Sequence, residues 1–155
     1  VAENIIYNSD LQLVYVATSR IFDDEMQTKI NTHIARRDAR WTTISVEKDI
    51  PEVLVKLTNN QAVLIDCVTM WLTNIILDGD DVDLAQSNFL RALTASSAPL
   101  VVVSNEVGQG IVPDNALSRQ FREAQGRLNI ALAARADCVI HVVAGLSHVL
   151  KGPNQ

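Results

Sequence analysis

Short apolar runs separated by amphipathic stretches recur along the whole 155-residue chain. Leu13 to Ala17, Ala62 to Ile65 and Pro99 to Val103 are uninterrupted and mostly β-branched or aliphatic, the pattern of strands buried on both faces of a parallel sheet. Trp41-Thr42-Thr43-Ile44-Ser45-Val46 alternates with period two and predicts a short strand. Cys138 to Ala144 predicts a last one, ahead of a polar tail containing Gly152 and Pro153. Between these runs the spacing becomes helical. Val1 to Tyr7 reads as the end of a helix, with Asn8-Ser9-Asp10 as its exit. Phe22, Met26, Ile30 and His33 share one face of a helix starting near Asp23, a good N-cap with Asp24 and Glu25 at the positive end of the dipole. Ile50 to Leu57 predicts a short amphipathic helix with Pro51 in its first turn. Thr69 to Leu77 predicts another, leaving through the exposed turn Asp78-Gly79-Asp80-Asp81. Val82, Ala85, Phe89 and Leu93 mark the next helix, and Leu117, Phe121, Ala124, Leu128 and Ala131 place one from Asp114 to about Arg135. Strand and helix alternate throughout, which predicts one α/β domain over residues 1–155 with a mainly parallel sheet covered by helices on both faces.

Composition narrows the function classes. With 48% hydrophobic and 20% charged residues the chain has the make-up of a soluble globular domain, and its net charge of -5 argues against general nucleic-acid binding. No apolar run reaches membrane-spanning length, and Val1-Ala2-Glu3-Asn4 has no basic leader, so a cytoplasmic protein without a membrane span is expected. Cys67 and Cys138 fall in apolar runs and are expected as buried, reduced thiols.

Chemistry concentrates where strands end. The run Pro99 to Val103 breaks into Ser104-Asn105-Glu106-Val107-Gly108-Gln109-Gly110-Ile111-Val112-Pro113-Asp114-Asn115, and ligands of open α/β sheets bind at the carboxyl ends of strands. Asp66 likewise closes an apolar strand. It suits either a carboxylate that holds Mg²⁺ or a cap for the following helix, and Glu106 is a second carboxylate at such a strand end. His33 extends an apolar stripe, the setting of a packed histidine. Lys29, Arg36, Arg37 and Arg40 around it reverse the local charge of an acidic chain, which suits either a solvated face paired with Asp23, Asp24 and Glu25 or the cationic donors that phosphate chemistry needs. Gly126 costs roughly 1 kcal/mol relative to Ala inside its helix, so close packing or a ligand is expected there.

The string from Ser104 to Asn115, continued by Phe121-Arg122-Glu123-Ala124-Gln125-Gly126-Arg127-Leu128-Asn129, closely resembles the bifunctional adenosylcobinamide kinase/adenosylcobinamide-phosphate guanylyltransferase family of cobalamin biosynthesis. The resemblance also takes in Tyr15-Val16-Ala17-Thr18-Ser19, Phe22-Asp23-Asp24-Glu25-Met26, His33 with Arg37, Trp41, Asp66-Cys67-Val68-Thr69 and Trp71-Leu72-Thr73-Asn74 in the family's order. It implies a P-loop NTPase fold of RecA-like type assembled as a homotrimer, with GTP and ATP as substrates, Mg²⁺ as cofactor and a cobinamide as the small-molecule partner. His33 matches the histidine that takes GMP from GTP and passes it to adenosylcobinamide phosphate, giving adenosylcobinamide-GDP. Ile34, Ala35, Arg36 and Arg37 match one nucleotide-contacting segment and Ala17, Thr18 and Ser19 a second, while Asp66 takes the nucleotide and metal role. Ser45 stands where family members usually carry Glu.

The same resemblance places a strand and a Gly-Gly-x-Arg-Ser-Gly-Lys-Ser phosphate loop ahead of Ala2-Glu3, and the chain as given starts just after it. An omitted segment, a truncated protein and a degenerate homologue all fit, and the near-intact remaining motifs favour the first. A chain that truly lacks the loop is expected to lose kinase activity and tight nucleotide binding. Two other readings stand beside the enzyme: a non-catalytic nucleotide-binding or assembly module, and another P-loop-type ATPase with similar motifs.

Overall fold

The computed structural model describes residues 1–20 and 38–152. The predicted helix from Asp23, with Lys29, His33, Ile34, Ala35, Arg36 and Arg37, lies outside the described residues. Four parallel strands form the central sheet in the order β2-β1-β3-β4: β1 is Gln12–Ala17, β2 Trp41–Ser45, β3 Gln61–Asp66 and β4 Leu100–Val103. β1 and β3 have four consecutive buried residues each, because both sheet faces are covered there. On one face Val14, Val16, Val63 and Ile65 meet α2 (Ile50–Leu54), α3 (Val68–Leu77), α4 (Val82–Ala95) and α5 (Ala116–Arg135), with Trp71, Phe89 and Leu128 at the centre of the core. On the other face Leu13, Tyr15, Ala62 and Leu64 pack with Ile6 of α1 (Ala2–Tyr7). Mainly parallel α/β architecture is thus observed.

Capping explains where helices begin. Asp81 accepts the Leu84 N–H at 2.9 Å to open α4, and Asn115 accepts the Ser118 N–H at 2.7 Å to open α5, one residue later than the Asp114 expected. Pro51 sits in the first turn of α2, but the helix stops at Leu54 rather than Leu57. Its exit tightens, with Lys56 and Leu57 donating back to the carbonyls of Val53 and Leu54 three residues earlier.

Three expectations are corrected. β4 is half-buried along its length rather than buried on both faces, since it pairs with β3 on one side and is an edge among the described residues. The tail after Ala144 is not an irregular polar segment: β5 (Val139–Val143) turns through Ala144 and Gly145, both at positive φ (51° and 78°), into antiparallel β6 (Leu146–Lys151). Such a two-residue turn needs the left-handed region at both positions, which Gly145 adopts freely and Ala144 does not. Cys138 is exposed, because it precedes this separate hairpin instead of entering the central sheet, whereas Cys67 is buried as expected; both are free thiols.

Candidate active site at the carboxyl ends of the strands

Strand register sets the site. Ser45 pairs with Ala17, Ala17 with Asp66, and Asp66 with Val103, so one row crosses all four strands at their carboxyl ends. Three of the four exits from this row carry residues singled out in the sequence: Thr18 and Ser19 after β1, Cys67 after β3, Ser104 to Asn115 after β4.

Asp66 shares its sheet face with Tyr15, whose hydroxyl donates to Asp66 Oδ2 at 2.6 Å. The helix behind it, α3, is capped by Cys67 without a side-chain hydrogen bond, so the carboxylate faces the strand end rather than capping the helix. Thr18 is fully buried and doubly engaged: its Oγ1 donates to the Cys67 carbonyl at 2.7 Å and accepts the Cys67 N–H at 3.0 Å, and its N–H donates to the Asp66 carbonyl at 3.4 Å. The β1 and β3 exits are thereby fastened together. Asn74, buried on α3, donates from Nδ2 to the carbonyls of Thr18 (2.8 Å) and Glu47 (3.0 Å), tying in the β2 exit; its Oδ1 has no partner among the described residues.

Thr69 and α5 organise the β4 exit. Thr69 Oγ1 accepts the Asn105 N–H at 2.8 Å. Fully buried Gln125 donates to Ser104 Oγ at 2.8 Å and to Asn129 Oδ1 at 3.0 Å, and the Ser104 hydroxyl donates to that same Oδ1. Farther along, two arginines of α5 grip the connection by its backbone: Arg122 donates to the Gly108 carbonyl, and Arg119 to the carbonyls of Pro113 (3.0 Å) and Asp114 (2.6 Å). Arg122 Nη1 is buried with no partner among the described residues. Between those grips Ile111 is 96% exposed and Val112 65%. Glu106 accepts the Gly108 N–H at 3.1 Å.

Charge outside the row is arranged as a network. Arg20 pairs bidentately with Asp78 (2.7 and 2.6 Å) and with Glu47 (2.6 Å), and Lys48 bridges Asp78 (2.7 Å) and Asp80 (2.8 Å). Hydrogen bonds from Arg20, then Lys48, hold the Asp78 carboxyl well below the usual carboxylate range. Asp78 and Asp80 push the Lys48 ammonium up to about 12. Burial raises the Cys67 thiol, which stays protonated. Arg40, grouped with the cationic cluster in the sequence, is placed elsewhere: it precedes β2 at the opposite end of the sheet, 4.0 Å above the Tyr7 ring and paired with Asp38 at 3.3 Å.

Among the described residues no group of three or more His, Cys, Asp or Glu side chains gathers as a protein-only metal cage would require. Mg²⁺ takes one or two carboxylates and completes its shell with water and phosphate oxygens, and Asp66 at the row fits that donor set. Tyr15, Asn74 and Gln125 are the positioning groups that sequence reasoning did not single out. All three fall within the strings that carry the family resemblance, but no role was given to any of them there.

The family model described as cobinamide kinase / cobinamide phosphate guanyltransferase, CobU, matches residues 1–150. The chain belongs to this family. The bifunctional adenosylcobalamin biosynthesis protein CobU of Escherichia coli (strain K12) is 37% identical over 166 residues, spanning 97% of this chain and 91% of its own length. The bifunctional adenosylcobalamin biosynthesis protein CobP of Pseudomonas aeruginosa is 36% identical over 154 residues (97% and 89%), and the CobU of Salmonella typhimurium 36% over 156 residues (90% and 86%). CobU is the family that the motifs resembled. No helix among the described residues is long and apolar enough to cross a membrane.

Proposed function

We propose that this protein carries both activities of its family, phosphorylating adenosylcobinamide with ATP or GTP and transferring GMP from GTP to adenosylcobinamide phosphate to give adenosylcobinamide-GDP. The observation that carries the reading is the family match over residues 1–150. The alignment of Ala17 and Asp66 in one row, with Thr18 and Ser19 leaving it, supports it.

In the guanylyl transfer, the neutral His33 imidazole attacks the α-phosphorus of GTP. A P–N bond forms, the bond to pyrophosphate breaks, and the ring N–H proton is given up. A phosphate oxygen of the second substrate then attacks the phosphoramidate, and the leaving imidazole regains its proton. One displacement is split into two easier ones. Arg36 and Arg37 supply guanidinium donors for phosphate oxygens, while Ile34 and Ala35 contribute backbone to the same nucleotide. Ala17, Thr18 and Ser19 form the second nucleotide wall, kept in place by the buried Thr18 hydroxyl. Asp66 would hold Mg²⁺, which when bound neutralises polyphosphate charge; Tyr15 orients that carboxylate.

Residues 1–155 act as one α/β nucleotide-binding domain in this reading. The protein works in the cytoplasm, where its nucleotides are, as a homotrimer. Exposed apolar side chains on the hairpin, Val143, Leu146 and Leu150, support subunit contact. The deciding experiment is intact-protein mass after incubation with GTP and Mg²⁺. A GMP-sized increase is expected in the wild type and none in His33→Asn. An adduct that persists in the variant removes His33 from the reaction.

A further inference from the structure

The end of α3 presents two side chains to the β1 exit. Asn74, in its last turn, and Asp78, its cap, are four positions apart and therefore share one helix face. Fully buried Asn74 donates to the Thr18 carbonyl at 2.8 Å, while the Asp78 carboxylate accepts Arg20 Nη1 and Nη2 at 2.7 and 2.6 Å. The β2 exit is joined at the same two points. Asn74 also donates to the Glu47 carbonyl at 3.0 Å, and the Glu47 carboxylate accepts Arg20 Nε at 2.6 Å. Lys48 adds a further donor to Asp78 at 2.7 Å. An isolated surface ion pair contributes little, but a bidentate arginine inside a charge network has the geometry that does hold a chain in place. Ser19 lies between the grips on Thr18 and Arg20, half-buried, and its hydroxyl makes no hydrogen bond among the described residues.

We propose that Arg20 and Asp78 are positioning residues for the nucleotide: their pairing, together with Asn74, fixes the chain on both sides of Ser19 and so sets the place of the wall formed by Thr18 and Ser19. The proposal rests on the functional reading above, which puts the nucleotide against Ala17, Thr18 and Ser19, and adds to it residues that act without touching the ligand. Arg20 is the first cation after β1, where a phosphate would be its obvious partner, yet Nε, Nη1 and Nη2 are all directed to carboxylates. Hydrogen bonds from Arg20, then Lys48, keep Asp78 ionised far below neutral pH, so the pairing is intact near neutrality. Losing either partner releases one side of Ser19. A loosened wall must be ordered again when the nucleotide arrives, which weakens binding more than it slows the chemical step.

Calorimetric titration with Mg²⁺ and the α,β-methylene analogue of GTP, which cannot release pyrophosphate, reads binding without the reaction. Wild-type protein is expected to bind the analogue, and Arg20→Gln and Asp78→Asn each to bind it at least tenfold more weakly. The double variant is expected to be no weaker than either single one, because both remove the same pairing. Arg20→Lys keeps the charge and loses the fork, so its affinity should fall between. In GMP-adduct formation followed by mass, the half-saturating GTP concentration of Arg20→Gln should rise by a similar factor with a much smaller change in the maximal rate, a split that loss of folded protein does not produce. Unchanged affinity in the single variants, fully additive losses in the double one, or a fall in maximal rate alone overturns the proposal. So does an Asp78→Asn variant that binds more tightly than wild type, which would make the freed Arg20 a direct phosphate ligand. Adduct formation with unaltered affinities sinks only the positioning role, whereas no adduct with pairing-dependent affinity sinks the guanylyl transfer and keeps that role. A wild type that does not bind the analogue overturns both.

Discussion

Thr18 shows how much a single hydroxyl can hold. It satisfies both the N–H and the carbonyl of Cys67 in a fully buried position. Thr18→Val keeps the shape and strands two backbone groups, so urea unfolding should show a loss of about 1–3 kcal/mol, while Thr18→Ser retains the hydroxyl and should lose much less. A larger loss in Thr18→Ser than in Thr18→Val would mean that the methyl, not the hydroxyl, matters. Gly126 points the other way. A Cβ there meets nothing within 4 Å, so neither packing nor backbone conformation asks for glycine. Gly126→Ala should therefore stabilise the protein by about 0.5–1 kcal/mol, read as a higher denaturation midpoint, and a destabilised variant would overturn that reading. Residue identity made Asp66 and Thr18 legible as site candidates, but not their partners. Whether Asp66 capped α3 or faced the strand end depended on Tyr15, which lies 51 positions away in sequence. The openness around Gly126 likewise depends on what its helix does not pack against.

Elements were legible wherever periodicity was long or the apolar run unbroken, and obscured where pairing rather than pattern decides. α5 was found almost to the residue because its apolar positions repeat from Leu117 to Ala131, about four turns. β4 has as apolar a sequence as β3, yet burial differs because only one of its edges pairs among the described residues. β6 was missed since an Ala-Gly pair is a weak turn signal and its strand is exposed throughout. The ion network joining the β1 exit to the loops after β2 and α3 is also invisible in sequence, and it gives the protein a pH signature. Asp78 has its folded-state pKa depressed, so its contribution is complete above the ordinary carboxylate value of about 4 and is lost as pH falls through the lower folded value. Lys48 is raised, so its share holds below about pH 10 and is lost as pH rises through about 12. The stability gap between wild type and Asp78→Asn should be constant near neutrality, narrow below about pH 4, and shrink with added salt. A gap that stays constant from neutral pH into strong acid would show that the network contributes nothing electrostatic.

At the scale of the whole molecule, family membership was readable because the matching strings follow one another through nearly the entire chain, whereas composition alone stopped at an acidic α/β domain. Subunit assembly has no comparable sequence signal. Val143 pairs with Leu146 across the hairpin and both are exposed, with Leu150 beyond them. Leu146→Lys with Leu150→Lys should shift sedimentation velocity towards smaller species if the hairpin lies between subunits, and an unmoved sedimentation coefficient would remove the hairpin from any subunit contact. Thiol accessibility gives an independent check of the same architecture. Iodoacetamide should label exposed Cys138 well before buried Cys67, and simultaneous labelling would mean that the core opens as readily as the hairpin. The clamps of α5 on the loop at 108–114 hold main-chain oxygens rather than side chains. Substitutions at 111 and 112 therefore leave the clamps untouched, and the exposed pair can be exchanged in the laboratory while the frame that displays it stays in place.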